Sequence, residues 1–179
     1  AELVSRGYGG YSQPERYRYI NWGYMHVARL TRWAWEETYG TASVPAPEYL
    51  INLPKTFKSL DYVVVTTADK EKRVEPISLD EYTDDWLPKN LTLSVNRGDV
   101  SQYVIFRNQI VLLPPPDQTH AITVYYHRQP VPLVVAGDRP ITPPHMDEAV
   151  MQGAIMKCAQ RASDQSRYQL ASSALDEIL

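Results

Sequence analysis

The sequence predicts an α+β protein whose terminal helices pack together, with an antiparallel β-sandwich-like domain inserted between them. Three observations carry this. Apolar side chains recur at three- and four-residue spacing near both ends, at Tyr17, Ile20, Tyr24 and Val27, then at Val150, Met151, Ala154, Ile155, Cys158 and Ala159. Between these stretches the period changes to β-branched runs cut by Pro, Gly and Asp. With 179 residues, 44% hydrophobic and 22% charged, the chain is long and apolar enough to bury a core without disulfides. The expected organisation is a flexible glycine-containing arm over 1–13, a helical domain from 14–40 and 141–164, a β domain over 41–140, and a helical or extended segment over 165–179.

Ser12-Gln13-Pro14-Glu15 reads as a helix start, with a polar cap, an early proline and an acid in the first turn. The stripe Tyr17, Ile20, Tyr24, Val27, Thr31 and Ala34 carries that helix to about Thr38, before Gly40. Residues 49–54 form a short strand stopped by Pro54, and 59–67 a longer β-branched one. Residues 68–73 are a charged turn; 73–79 return as a strand that Pro76 confines to an edge or bulge. Residues 80–88 are a helical turn holding Trp86, and 91–95 are a strand before the Arg97-Gly98-Asp99 turn.

The ribbon 102–113 is a hairpin candidate with apolar residues on both faces, so it must be covered on both sides, by a second layer or by another subunit. Pro114-Pro115-Pro116 turns the chain stiffly. Residues 121–128 alternate, with Ile122, Val124 and Tyr126 on one face, and 131–135 are a possible last strand. Residues 145–178 continue in helical period, as one helix or as two broken at Ser163-Asp164. The residues expected to pack the helices together are Ile20, Tyr24, Val27, Trp33, Trp35, Val150, Ala154 and Cys158. Full burial of Trp33 and Trp35 would make each alanine substitution cost about 3–5 kcal/mol.

Composition narrows the function. A net charge of −3 argues against wrapping nucleic acid, which needs a basic face. The single Cys158 excludes an intrachain disulfide and a multi-cysteine metal site. No apolar run is long enough to span a membrane, and the first residues have no signal-peptide core, so synthesis in a cytoplasm is expected. There is no phosphate-cradling glycine loop and no nucleophile elbow. None of His26, His120, His127 and His145 has a second His or a Cys at metal-ligand spacing, so no catalytic residue, metal or cofactor is expected. Thirteen tyrosines against two phenylalanines fit either a β core or a surface that is wet before assembly and dry after it.

Three stretches, taken in order, resemble the tailed-bacteriophage head-to-tail adaptor (connector) family. They are INWGYMHVARLTRWAWEE (20–37), QYVIFRNQIVLLPPPD with AITVYYHRQP (102–117, 121–130), and ITPPHMDEAVMQGAIMKCAQ (141–160). The likeness runs over roughly residues 10–170. It implies a structural virion protein of the neck, made in the host cytoplasm. Its partners would be the portal protein, tail (nozzle, tail-tube or fibre) proteins and further copies of itself in a ring, commonly a dodecamer. DNA would pass through the lumen without specific binding. It also implies portal docking by the C-terminal segment, here Tyr168, Leu170, Leu175 and Ile178, so that truncation after Asp164 should spare folding. A closed ring would cover the ribbon through Tyr103, Ile105, Phe106, Ile110, Leu112 and Tyr126. Two competing readings are a β-sandwich binding module that stacks a glycan or cell-surface ligand on the aromatics of 82–103, and a hydrolase built around His120 and His127.

Overall fold

The computed structural model describes residues 7, 9–67, 70–87, 97–134 and 138–179. In chain order its elements are α1 (Gln13–Leu30), β1 (Glu37–Val44), β2 (Leu50–Asn52), β3 (Phe57–Thr66), β4 (Glu71–Pro76), α2 (Leu79–Glu81), β5 (Gln102–Phe106), β6 (Gln109–Leu113), β7 (His120–Arg128), α3 (Asp147–Arg161) and α4 (Gln165–Ile178). Short 3-10 turns lie at Ala34–Glu36 and Pro144–Met146, and a π turn at Tyr82–Trp86. The protein is α+β. Two compact units divide the chain: Ala1–Glu36 with Gln129–Leu179, and Glu37–Arg128. Most of the expected arm (1–6 and 8) and the expected strand 91–95 lie outside the described residues.

In the helical unit, Glu15 turns back on the start of α1. Its Oε2 accepts from the Ser12 backbone N–H at 3.0 Å and from the Ser12 hydroxyl at 2.8 Å. α1 and α3 meet at two glycines. A Cβ on Gly23 would lie 2.6 Å from the Ala154 nitrogen, and one on Gly153 would lie 2.9 Å from Gly23 Cα. Only bare backbone fits this crossing. Around it Tyr19, Val27, Ala149, Ala154, Ile155, Met156 and Cys158 bury one core, with Ile20, Trp33 and Trp35 packed at its margin. Tyr24, Val150 and Leu133 form a smaller cluster.

α1 stops at Leu30, earlier than its apolar stripe implies, and Thr31 is extended. The physical reason is the Trp33 indole. Its N–H donates to the Val27 carbonyl at 2.9 Å, satisfying one of the helix's otherwise unpaired last acceptors. Trp33 and Trp35 then stack with centroids 4.3 Å apart. Both rings are only partly buried, so the cost of removing either falls below the full-burial figure. β1 begins at Glu37, inside the stretch whose apolar stripe predicts helix to about Thr38.

The C-terminal helical stretch is two helices. Ser163 takes positive φ (56°), Asp164 N–H donates to Ala159 O at 2.9 Å, and Ser163 N–H donates to Gln160 O at 3.3 Å. This pattern closes α3. Asp164 also caps α4, its Oδ1 accepting from Arg167 N at 3.0 Å. The possible strand at 131–135 does not form in the described part, 131–134. Instead the Asn21 amide grips Leu133 at both backbone groups, each bond 2.7 Å.

The β unit is a seven-stranded sheet in the order β1-β7-β3-β4-β5-β6-β2. It folds over on itself. One core collects Val63, Val65, Ile122 and Val124 from one half with Tyr103, Ile110 and Leu112 from the other. β4 belongs to both halves, antiparallel to β3 and parallel to β5, so Pro76 is not on an edge strand. Glu75 and Ile77 supply the N–H groups that bond Ser101 and Tyr103, and the donor-less Pro76 sits between them.

β5 and β6 form the expected hairpin, joined by Arg107 and Asn108 at φ 49° and 63°. Two successive positive-φ residues match the twist of a tight hairpin. Its two apolar faces are both covered, but by the protomer itself. Tyr103, Ile110 and Leu112 face the main core; Val104, Val111 and Leu113 face a second cluster with Tyr82, Trp86 and Phe106. The ribbon therefore does not require a neighbouring subunit to cover it.

Candidate functional site

The outer face of β1, β7 and β3 carries an aromatic strip. Register sets Tyr39 opposite Tyr125, and Tyr125 opposite Tyr62. Tyr62 and Tyr125 stack at 4.4 Å, Tyr39 follows at 5.9 Å, and the Arg73 guanidinium lies 4.8 Å over Tyr62. These rings point away from the core because Val63, Val65, Ile122 and Val124, their strand neighbours, point into it. Tyr39, on the edge strand β1, is 65% exposed.

At one end of this strip lies His127, buried beside Asp61 and Glu37. Its Nδ1 is 3.0 Å from Asp61 Oδ2 without hydrogen-bond alignment, and its Nε2 is 4.0 Å from Glu37 Oε1. The strip therefore combines flat apolar rings, a guanidinium, two carboxylates and an imidazole. That set suits adhesion to another protein, because it offers area, polar tips and ion pairs together. Nucleophile, base and orienter do not converge there among the described residues.

A second cluster forms where a loop meets the proline turn. Gly98 bridges Pro116 in parallel, with its N–H donating to Pro115 O at 3.0 Å. The next residues, Asp99 and Asp117, are thereby set side by side, and His120 opens β7. One ligating atom from each of the three lies within 4.8 Å of the others. Spacing along the chain concealed this group, since Asp99 reaches His120 only through the nonlocal bridge. The Asp117-to-His120 interval of three was its one local signal.

The residues expected to dock or to join subunits have separate fates. Tyr103, Ile110 and Leu112 are buried in the protomer; Phe106 and Tyr126 are half-buried, and Ile105 is 41% exposed. On α4, Leu175 is buried, and Tyr168 and Ile178 pack against the helical core, whereas Leu170 is 71% exposed. The burial of Ala171 and Leu175 in that core argues against the expectation that 165–179 is dispensable for folding. Of the helix-packing residues, all eight lie in or against the two clusters of the helical unit. Among the residues periodicity missed there are Tyr19, Gly23, Ala149, Gly153 and Met156.

Burial raises the pKa of three groups. The Cys158 thiol is pushed up to about 11, Tyr103 is raised, and Tyr82 is raised by burial and then by Tyr49. A thiol so placed is a packing element.

The family model described as SU10 adaptor protein matches residues 6–179, running through both units. The chain belongs to the SU10 adaptor protein family. It is thus a phage structural adaptor protein, and the match extends past both ends of the stretch 10–170 that carried the sequence resemblance. No curated protein matches it. No helix of this adaptor's described residues is long and apolar enough to cross a membrane. The aromatic strip and the exposed Leu170 are its most conspicuous candidate contact features.

Proposed function

We propose that this adaptor is a subunit of a homo-oligomeric ring at the virion neck, docked beneath the portal protein. There it extends the DNA channel and gives the tail proteins their attachment surface, without enzymatic activity. The observation that carries the reading is the family match over 6–179, which takes in the helical unit and the β unit alike. A net charge of −3 supports DNA passage without retention, since phosphate contacts by Lys and Arg would add affinity and friction.

Within this reading, Leu170 is the portal-facing anchor of α4, and Ile105, Phe106 and Tyr126 contribute to the contact between copies. The exposure of Leu170 and Ile105 supports these roles; Tyr168, Leu175 and Ile178 act by holding α4 in place. The Tyr39–Tyr125–Tyr62 strip serves the neighbouring copy or the tail side.

Purified adaptor mixed with its portal should co-sediment and appear as an added ring in negative-stain images. The Leu170→Asp variant should fold and fail to join. Absence of a complex with folded wild-type protein would overturn the docking role. Full binding by Leu170→Asp would remove α4 from the docking surface.

A further inference from the structure

We propose that Asp99, Asp117 and His120 form a binding site for one divalent transition-metal ion of the zinc or manganese class. Two independent features converge. Asp99 and Asp117 are held side by side by the Gly98–Pro116 bridge, and one ligating atom of each lies within 4.8 Å of the other and of a His120 ring nitrogen. His120 is itself 1% exposed, and neither of its ring nitrogens has a hydrogen-bond partner among the described residues. A buried imidazole without a partner for its N–H or its lone pair costs free energy that a metal bond would recover. A cation between two adjacent carboxylates also relieves their mutual repulsion.

The donor set selects the ion. One imidazole with two carboxylates is a mixed nitrogen–oxygen set, which favours zinc or manganese over calcium and magnesium, whose sites are built from oxygen. Ligand atoms bonded at about 2.0–2.2 Å around a tetrahedral ion stand roughly 3.3–3.6 Å apart, so closure from separations of at most 4.8 Å asks each atom to move inward by about 0.8 Å or less. Both Asp side chains are exposed, which leaves them free to move and leaves remaining coordination positions to water. The site would clamp the loop at residues 97–101 onto the proline turn and the first residue of β7, next to the buried Val100. This inference does not depend on the adaptor reading.

The test is titration of the purified full chain, stripped with chelator, with zinc chloride and separately with manganese chloride. Isothermal titration should give one zinc per chain, and zinc at a hundred times its dissociation constant should raise the melting temperature by about 5–10 °C. The manganese arm is read by the change in the ion's electron paramagnetic resonance signal. Asp99→Asn and Asp117→Asn alter exposed groups and should fold as wild type, yet each should weaken zinc at least tenfold. His120→Gln should abolish the melting shift; if it fails to fold, the two Asp variants decide alone. Equal zinc affinity in wild type and both Asp variants would overturn the proposal, as would no binding below 1 mM. Calcium binding tighter than zinc would overturn the choice of ion.

Discussion

Gly23 and Gly153 set how closely α1 and α3 approach, and they invert an ordinary rule. Alanine in mid-helix normally stabilises by about 1 kcal/mol over glycine. Here the added methyl meets backbone, so Gly23→Ala and Gly153→Ala should each destabilise by about 1–3 kcal/mol in urea denaturation. A gain in either variant would show that the helices separate at little cost. Cys158 gives a second residue-level expectation. With its thiol raised to about 11, only a small fraction is thiolate at pH 8, and burial blocks access. Maleimide labelling should be at least a hundredfold slower in the native chain than in denaturant; equal rates would place Cys158 at the surface. Glu15 supplies a pH dependence. Bonds from Ser12, backbone first, lower its pKa, with help from Arg161. A lowered carboxyl contributes stability that is present above its unfolded value of about 4.3 and is lost as pH falls through the folded one. Replacing Glu15 with Gln should flatten the acid limb of the helical unit's stability profile and leave the neutral plateau's slope unchanged.

At the scale of elements, α4 is the informative one. Leu175 lies in the core and Leu170 faces solvent, five residues apart on the same helix. Leu175→Ala should cost about 2–5 kcal/mol, and Leu170→Ala about 0.5 kcal/mol or less, by thermal or chemical unfolding. Truncation after Asp164 should therefore lower the melting temperature of the helical unit; an unchanged melt would detach α4 from the core. The same helix shows where sequence reading stops. Helical period identified α4 and its apolar face, but period alone does not tell a face that meets the protomer from one that meets a partner. The β5–β6 ribbon repeats the lesson. Its two apolar faces were legible as a demand for cover on both sides, and the protomer meets that demand through two clusters. At the end of α1, Thr31 and Ala34 keep the helical spacing, while the indole bond to Val27 that ends the helix has no signature in spacing at all. β1 was hidden by Gly40 and Ala42, small residues that weaken its alternation.

For the whole molecule, the sequence order of helix, β block and helix was enough to anticipate the α+β class and the family likeness. The nonlocal pairings were not legible, and they create the Asp99–Asp117–His120 cluster and the tyrosine strip. Both depend on strands or loops distant in sequence lying side by side. The ring reading consequently rests on family membership and on exposed features such as Tyr39, Leu170 and, on the otherwise covered ribbon, Ile105. The β unit has one more property of this kind. Its first and last strands are neighbours, with Glu37 opposite His127. The two cut points of an excised cassette would therefore lie about 5 Å apart. Such a cassette could be lifted out, its place closed with a few glycines, or exchanged for a foreign one.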